Sequence, residues 1–71
     1  MATESLSEKQ SEALQLIVDF IDDNGYSPTL REITAQMEHS SVHWTAQILD
    51  ALEKKGAIQR VPGQARTIRP V

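Results

Sequence analysis

The chain has no cysteine, three glycines, three prolines, and a single tryptophan, tyrosine and phenylalanine. Without cysteine there are no disulfides and no thiolate ligands. His39 and His43 are the only histidines, so a zinc site has almost nothing to draw on. No apolar run approaches the roughly 20 residues of a membrane span. The start, Met1-Ala2-Thr3-Glu4-Ser5, has neither a basic nor an apolar signal region, so export is not expected and a cytoplasmic setting fits. No Ser/His/Asp spacing, paired-carboxylate cleft or glycine-rich phosphate loop appears, and the glycines are isolated punctuation. An enzyme is therefore not expected, nor a small-molecule cofactor. At 71 residues there is room for one small domain.

Charge is more informative in its distribution than in its sum of −3. Residues 1–24 carry Glu4, Glu8, Glu12, Asp19, Asp22 and Asp23 against Lys9 alone. Residues 54–71 carry Lys54, Lys55, Arg60, Arg66 and Arg69 with no acid. A polyanion would be repelled by the first end and attracted to the last. Read without a partner, the same charges are a solvated surface.

The stretch Ser41–Lys55 reads as an amphipathic helix, capped by Ser41 and stopped by Gly56. At about 100° per residue, Val42, Thr45, Ile48, Leu49 and Leu52 share one side. His43, Gln47, Asp50 and Lys54 share the other. Upstream, Ser7-Glu8-Lys9-Gln10 has the form of a capping box. It opens a helix whose stripe of Ala13, Leu14, Ile17, Val18 and Ile21 is widened by Leu16 and Phe20 and ends at Asn24-Gly25. A stripe this wide points to cover on more than one side. Residues 1–6 are expected to be a flexible tail and 7–71 the domain. Pro28 keeps Ser27 extended. Thr29-Leu30-Arg31-Glu32 is a second capping box, opening a helix of about two turns with Leu30, Ile33 and Met37 inward. Downstream of Gly56, Ala57–Val61 and Thr67–Arg69 alternate as short strands around the turn residues 62–66. Tyr26-Ser27 is a candidate third strand. The fold class is thus mainly α with a small β-hairpin, a three-helix winged helix-turn-helix.

Two motifs then carry a specific resemblance: Pro28-Thr29-x-x-Glu32-Ile33, and Leu49-x-x-Leu52-x-x-Lys55-Gly56-x-Ile58. With Asn24-Gly25-Tyr26-Ser27 before the first, the chain resembles the N-terminal DNA-binding domain family of the LexA repressor, without a gap from about Leu6 to Arg69. The resemblance implies double-stranded DNA binding by the third helix in the major groove, the wing on the phosphate backbone, and repression of transcription. Carried over position by position, it implies base reading by Ser41, His43, Trp44, Ala46 and Gln47. It implies backbone contacts by Thr29, Arg31, Lys54, Gly63, Gln64 and Arg66. Three departures stand out. The family's peptidase domain lies beyond the resemblance, so self-cleavage and its dimer interface are not carried over. The turn has Glu38-His39 where the family has glycine and an apolar residue, so Glu38 is either strained or differently folded and His39 is expected as a half-buried filler. Trp44 stands where the family tends to have a small residue.

Trp44 has three readings. It lies back over Ile48 and the end of the second helix, or touches a thymine methyl or sugar edge, or anchors a protein partner. The last is the alternative function: a winged-helix interaction module whose third helix binds protein rather than DNA. Gln47 favours DNA, because its amide can bond adenine in bidentate fashion. Ser41 suits a phosphate and His43 a guanine acceptor. A single small module makes few contacts, so tight binding calls for a homodimer on adjacent half-sites.

Overall fold

The computed structural model describes residues 6–38, 41–61 and 63–71. Their order is α1 (Glu8–Asn24), α2 (Leu30–Gln36), α3 (Val42–Lys54), β1 (Ile58–Gln59) and β2 (Arg69–Pro70). Each helix begins where a side chain can satisfy amides that have no carbonyl four residues back. Ser7 Oγ accepts from Gln10 N at 3.2 Å while Gln10 Oε1 accepts from Ser7 N at 3.1 Å. Thr29 and Glu32 do the same at 3.1 and 2.8 Å. Ser41 Oγ accepts from Trp44 N at 3.1 Å. Both capping boxes are formed, as the sequence pattern requires.

Helix α3 ends in a Schellman motif. Gly56 takes φ +78, its N–H donates to Glu53 O, and Ala57 N–H donates to Leu52 O. Ala57 and Leu52 are both buried, which closes the turn onto the core. Gly25 ends α1 in the same left-handed region and donates to Ile21 O.

The core joins all three helices to the hairpin. Ala13 and Ile17 come from α1, Ile33 and Met37 from α2 and its end, Ile48, Leu49 and Leu52 from α3, and Ala57, Ile58 and Ile68 from the wing. Leu6, Leu14, Leu16, Ile21 and Leu30 pack around them. Leu6 thus belongs with the domain, and the remainder of the expected tail lies outside the described residues. Removing a buried leucine such as Leu49 or Leu52 costs about 2–5 kcal/mol. That is a large share of the roughly 4–10 kcal/mol a domain this size holds. Thr45 is fully buried with its hydroxyl 2.9 Å from that of Thr34, which is itself 2.8 Å from Leu30 O. With one proton each, Thr45 donates to Thr34 and Thr34 to Leu30 O, so α2 and α3 cross on a satisfied polar contact.

Three expectations need correcting, and the two alternatives for Glu38 narrow to one. Val42 is 39% exposed rather than part of the inner stripe of α3. The strands are shorter and shifted, pairing Ile58 with Pro70 and Gln59 with Arg69. The ladder stops there because Val61 N–H donates to the Thr67 hydroxyl at 2.9 Å instead of to a strand mate. Tyr26-Ser27 forms no third strand, because the Ser27 hydroxyl takes the Ile68 N–H at 3.1 Å. Glu38 is not in the left-handed region, Arg66 (φ +58) being the one non-glycine there among the described residues. His39 lies outside the described residues.

Gly56→Ala tests the end of α3. Its Cβ would meet nothing within 4 Å, so the cost is left-handed backbone strain alone. We expect a loss of about 1–2 kcal/mol. Each kcal/mol lowers the midpoint of a thermal melt by roughly 4–8 °C. An unchanged midpoint would contradict the strain argument.

Candidate nucleic-acid interface

The inner side of α3 is committed to the core, which turns His43, Gln47, Asp50 and Lys54 outward, all exposed. Ala46 is half-buried beside them and keeps the surface low. Ser41 uses its oxygen to cap Trp44 N, leaving its hydroxyl proton for an acceptor outside the protein. His43 and Gln47 sit one helical turn apart with their Nε2 atoms at 3.2 Å. Trp44 is 47% exposed. It borders a shallow hollow with Ser7, Lys9, Gln10, Gln47 and Ile48. The indole thus borders the start of α1 on this side. Lys55 fixes this side, its Nζ donating to Gln10 Oε1 at 2.7 Å.

On the opposite flank α3 faces the wing across a groove of about 700 Å³. Thr29 and Arg31 wall it from α2, Val42 and Glu53 from α3, Gly63 and Gln64 from the wing. Arg60 crosses from the hairpin to α3, where Nε donates to Glu53 Oε1 at 3.0 Å and Nη2 to Asp50. Two carboxylates that would repel a phosphate on the groove wall are thereby partly neutralised.

Arg66 is engaged through both the edge and the face of its guanidinium. Nη1 donates to Ser27 O and to Glu32 Oε1, both at 3.0 Å, and Nη2 donates to Glu32 Oε2 at 3.1 Å. Its guanidinium lies 4.8 Å from the Tyr26 ring centroid, and Tyr26 packs edge-on against Phe20 at 5.7 Å. A bidentate fork with a stacked face is the strongest geometry a surface arginine has. This clasp holds the wing to the start of α2 and the end of α1. Of the basic C-terminal stretch, Arg60 and Arg66 are engaged within the protein, while Lys54 and Arg69 are exposed. Sequence reading missed Tyr26, Ser27, Glu32 and Glu53 as parts of this surface, and missed the bridge from Arg60 to Asp50 and Glu53. Their partners lie far along the chain, and no local pattern marks them.

With this geometry in place, the family described as LexA DNA binding domain matches residues 3–67. The chain belongs to the LexA DNA-binding domain family. It is 44% identical over 64 residues to the LexA repressor of Hahella chejuensis, covering 90% of this chain and 32% of that protein. Identity is 45% over 64 residues to the LexA repressor of Saccharophagus degradans, with the same coverage. It is 45% over 65 residues to that of Citrifermentans bemidjiense, covering 92% of this chain and 32% of the relative. The chain spans about a third of the length of the curated relatives it matches. No helix among the described residues of this LexA-family domain is long and apolar enough to cross a membrane.

The clasp gives a pH dependence with a definite sign. Thr29 N–H, then Arg66, hold the Glu32 carboxyl below the usual glutamate value of 4.5. A depressed folded-state pKa stabilises the fold above the unfolded value, and that contribution is lost as pH falls through the folded one. Glu32→Gln keeps an acceptor for Thr29 N–H but loses the fork. The stability gap between wild type and variant should therefore be present at neutral pH and shrink below pH 4.5, measured by urea midpoints across a pH series. The effect is small because the pair is solvent-exposed. A gap constant with pH would exclude the ionised clasp.

Proposed function

We propose that this domain binds double-stranded DNA sequence-specifically as a transcriptional repressor, with α3 in the major groove and the wing along the phosphate backbone. The observation that carries the reading is the polar outer face of α3, standing clear of the core beside the wing, in a chain of the LexA DNA-binding domain family. Gln47 and His43 read base edges, with Ala46 allowing close approach and Trp44 meeting a thymine methyl or sugar edge at the flank. Ser41, Thr29, Arg31 and Lys54 meet phosphates, as do Gly63 and Gln64 at the wing tip. The named relatives are repressors of about three times this length, and repression is carried to this chain from them. A single module buries about 600–1,000 Å² of protein surface. Two copies on adjacent half-sites would supply tight binding.

Arg66 takes a different part from the phosphate contact that the resemblance implies. Its fork is filled by Glu32, so it sets where Gly63 and Gln64 lie.

The test is titration of selected and random duplexes at several salt concentrations. Lys54→Ala should weaken binding to all sequences and lower the salt slope by about one unit. Gln47→Ala should cost about 1–3 kcal/mol on the preferred site and relax one base position. Equal loss on random DNA would count against base reading, and absence of binding at low salt would remove the proposal altogether. If Arg66 acts as a clasp, Arg66→Ala and Glu32→Ala should both weaken binding, although they change charge in opposite directions. A gain in affinity from Glu32→Ala would restore Arg66 to the phosphate.

A further inference from the structure

The contact between His43 and Gln47 constrains what the outer face of α3 can recognise. Their Nε2 atoms lie 3.2 Å apart. A carboxamide nitrogen has two hydrogens and accepts nothing, so Gln47 is the donor. The imidazole nitrogen is then the acceptor, which puts the proton of neutral His43 on Nδ1. Among the described residues, His43 is the hydrogen-bond partner of the Gln47 amide.

What remains on Gln47 is its carbonyl oxygen and one N–H, an acceptor beside a donor. The major-groove edge of adenine offers the complement, the N6–H donor beside the N7 acceptor. The edge of guanine offers O6 and N7, both acceptors, and O6 would oppose the glutamine oxygen. An unrestrained glutamine escapes this by turning its last bond, which has two broad, nearly equivalent orientations. Swung so that only its nitrogen faces the base, it offers two N–H groups, which suit the two acceptors of guanine. A glutamine whose nitrogen is held by its neighbour gives up a hydrogen bond to turn, and that loss is felt most once DNA has excluded water from the contact.

We propose that His43 is a specificity-determining residue that acts through Gln47: by accepting one amide N–H, it fixes the glutamine in the orientation that selects adenine over guanine. The inference rests on the reading of α3 as the base-reading helix. His43 is here a positioning residue, its own Nδ1–H left for a phosphate or base acceptor.

The experiment uses the full chain and its preferred duplex, selected from random DNA, with each base pair substituted at the position that Gln47→Ala relaxes. Wild type should favour adenine over guanine by roughly tenfold or more, in keeping with one bidentate pair. His43→Ala should narrow that ratio to about threefold or less, the ratio being read separately from any change in overall affinity. In the free protein, ¹⁵N chemical shifts should show Nε2 of neutral His43 as the unprotonated nitrogen, and Gln47→Ala should shift the tautomer balance. An adenine-to-guanine ratio untouched by His43→Ala, or a neutral His43 protonated on Nε2, overturns this proposal and leaves base reading by Gln47 standing. Unchanged discrimination at every position in Gln47→Ala overturns the underlying reading instead.

Discussion

Burial of one side of α3 is the constraint on which everything else turns. Thr45, Ile48, Leu49 and Leu52 face inward and meet α1, α2 and the wing in a single core. A domain of this size has no second core to fall back on. The same burial decides which residues of α3 are left outside. Helical geometry gives His43, Gln47, Asp50 and Lys54 to solvent once the inner stripe is fixed. The exposed polar face is therefore a by-product of packing, and no separate device is needed to aim it.

The wing is held on another principle. Two paired residues on each strand are too few to place a hairpin. Side chains do the work that a longer ladder would do. The Ser27 hydroxyl takes the Ile68 amide, the Thr67 hydroxyl takes the Val61 amide, Arg60 reaches α3, and Arg66 closes on Glu32. These attachments tie the wing to the segment before α2, to α2 and to α3. They also remove two arginines from the charge that composition assigns to the C-terminal end. What DNA would meet there is Lys54, Arg69 and the wing backbone, with the acids of α3 partly neutralised by Arg60.

The parts legible in the sequence were those written in neighbouring residues. Both capping boxes, the Ser41 cap, the glycine stops and the inward leucines follow from spacings of three and four, and the structure has them. The alternation of Ala57–Val61 overstated its strand, because a period of two cannot tell that Thr67 will claim Val61's amide. Tyr26-Ser27 was a candidate strand because Pro28 keeps Ser27 extended, and extension alone does not show that the Ser27 hydroxyl will take the Ile68 amide. Val42 fell on the apolar side of the helical wheel but is the first residue of α3, where it borders the open groove. The Arg66–Glu32 fork and the Arg60 bridge join residues that only the finished fold brings together. On the candidate site, the resemblance implied the positions, and the structure added how His43 and Gln47 touch.

Glu32 has two oxygens and three claims on them. One oxygen accepts from Thr29 N and from Arg66 Nη1, the other from Arg66 Nη2. A replacement that satisfies the helix start fails the arginine, and a replacement for the arginine leaves a carboxylate half used. Positions 32 and 66 are thus open to drift only as a pair, the claim from residue 29 being made by its main chain. In a lineage of such domains, the start of the second helix and the tip of the hairpin would inherit their changes together.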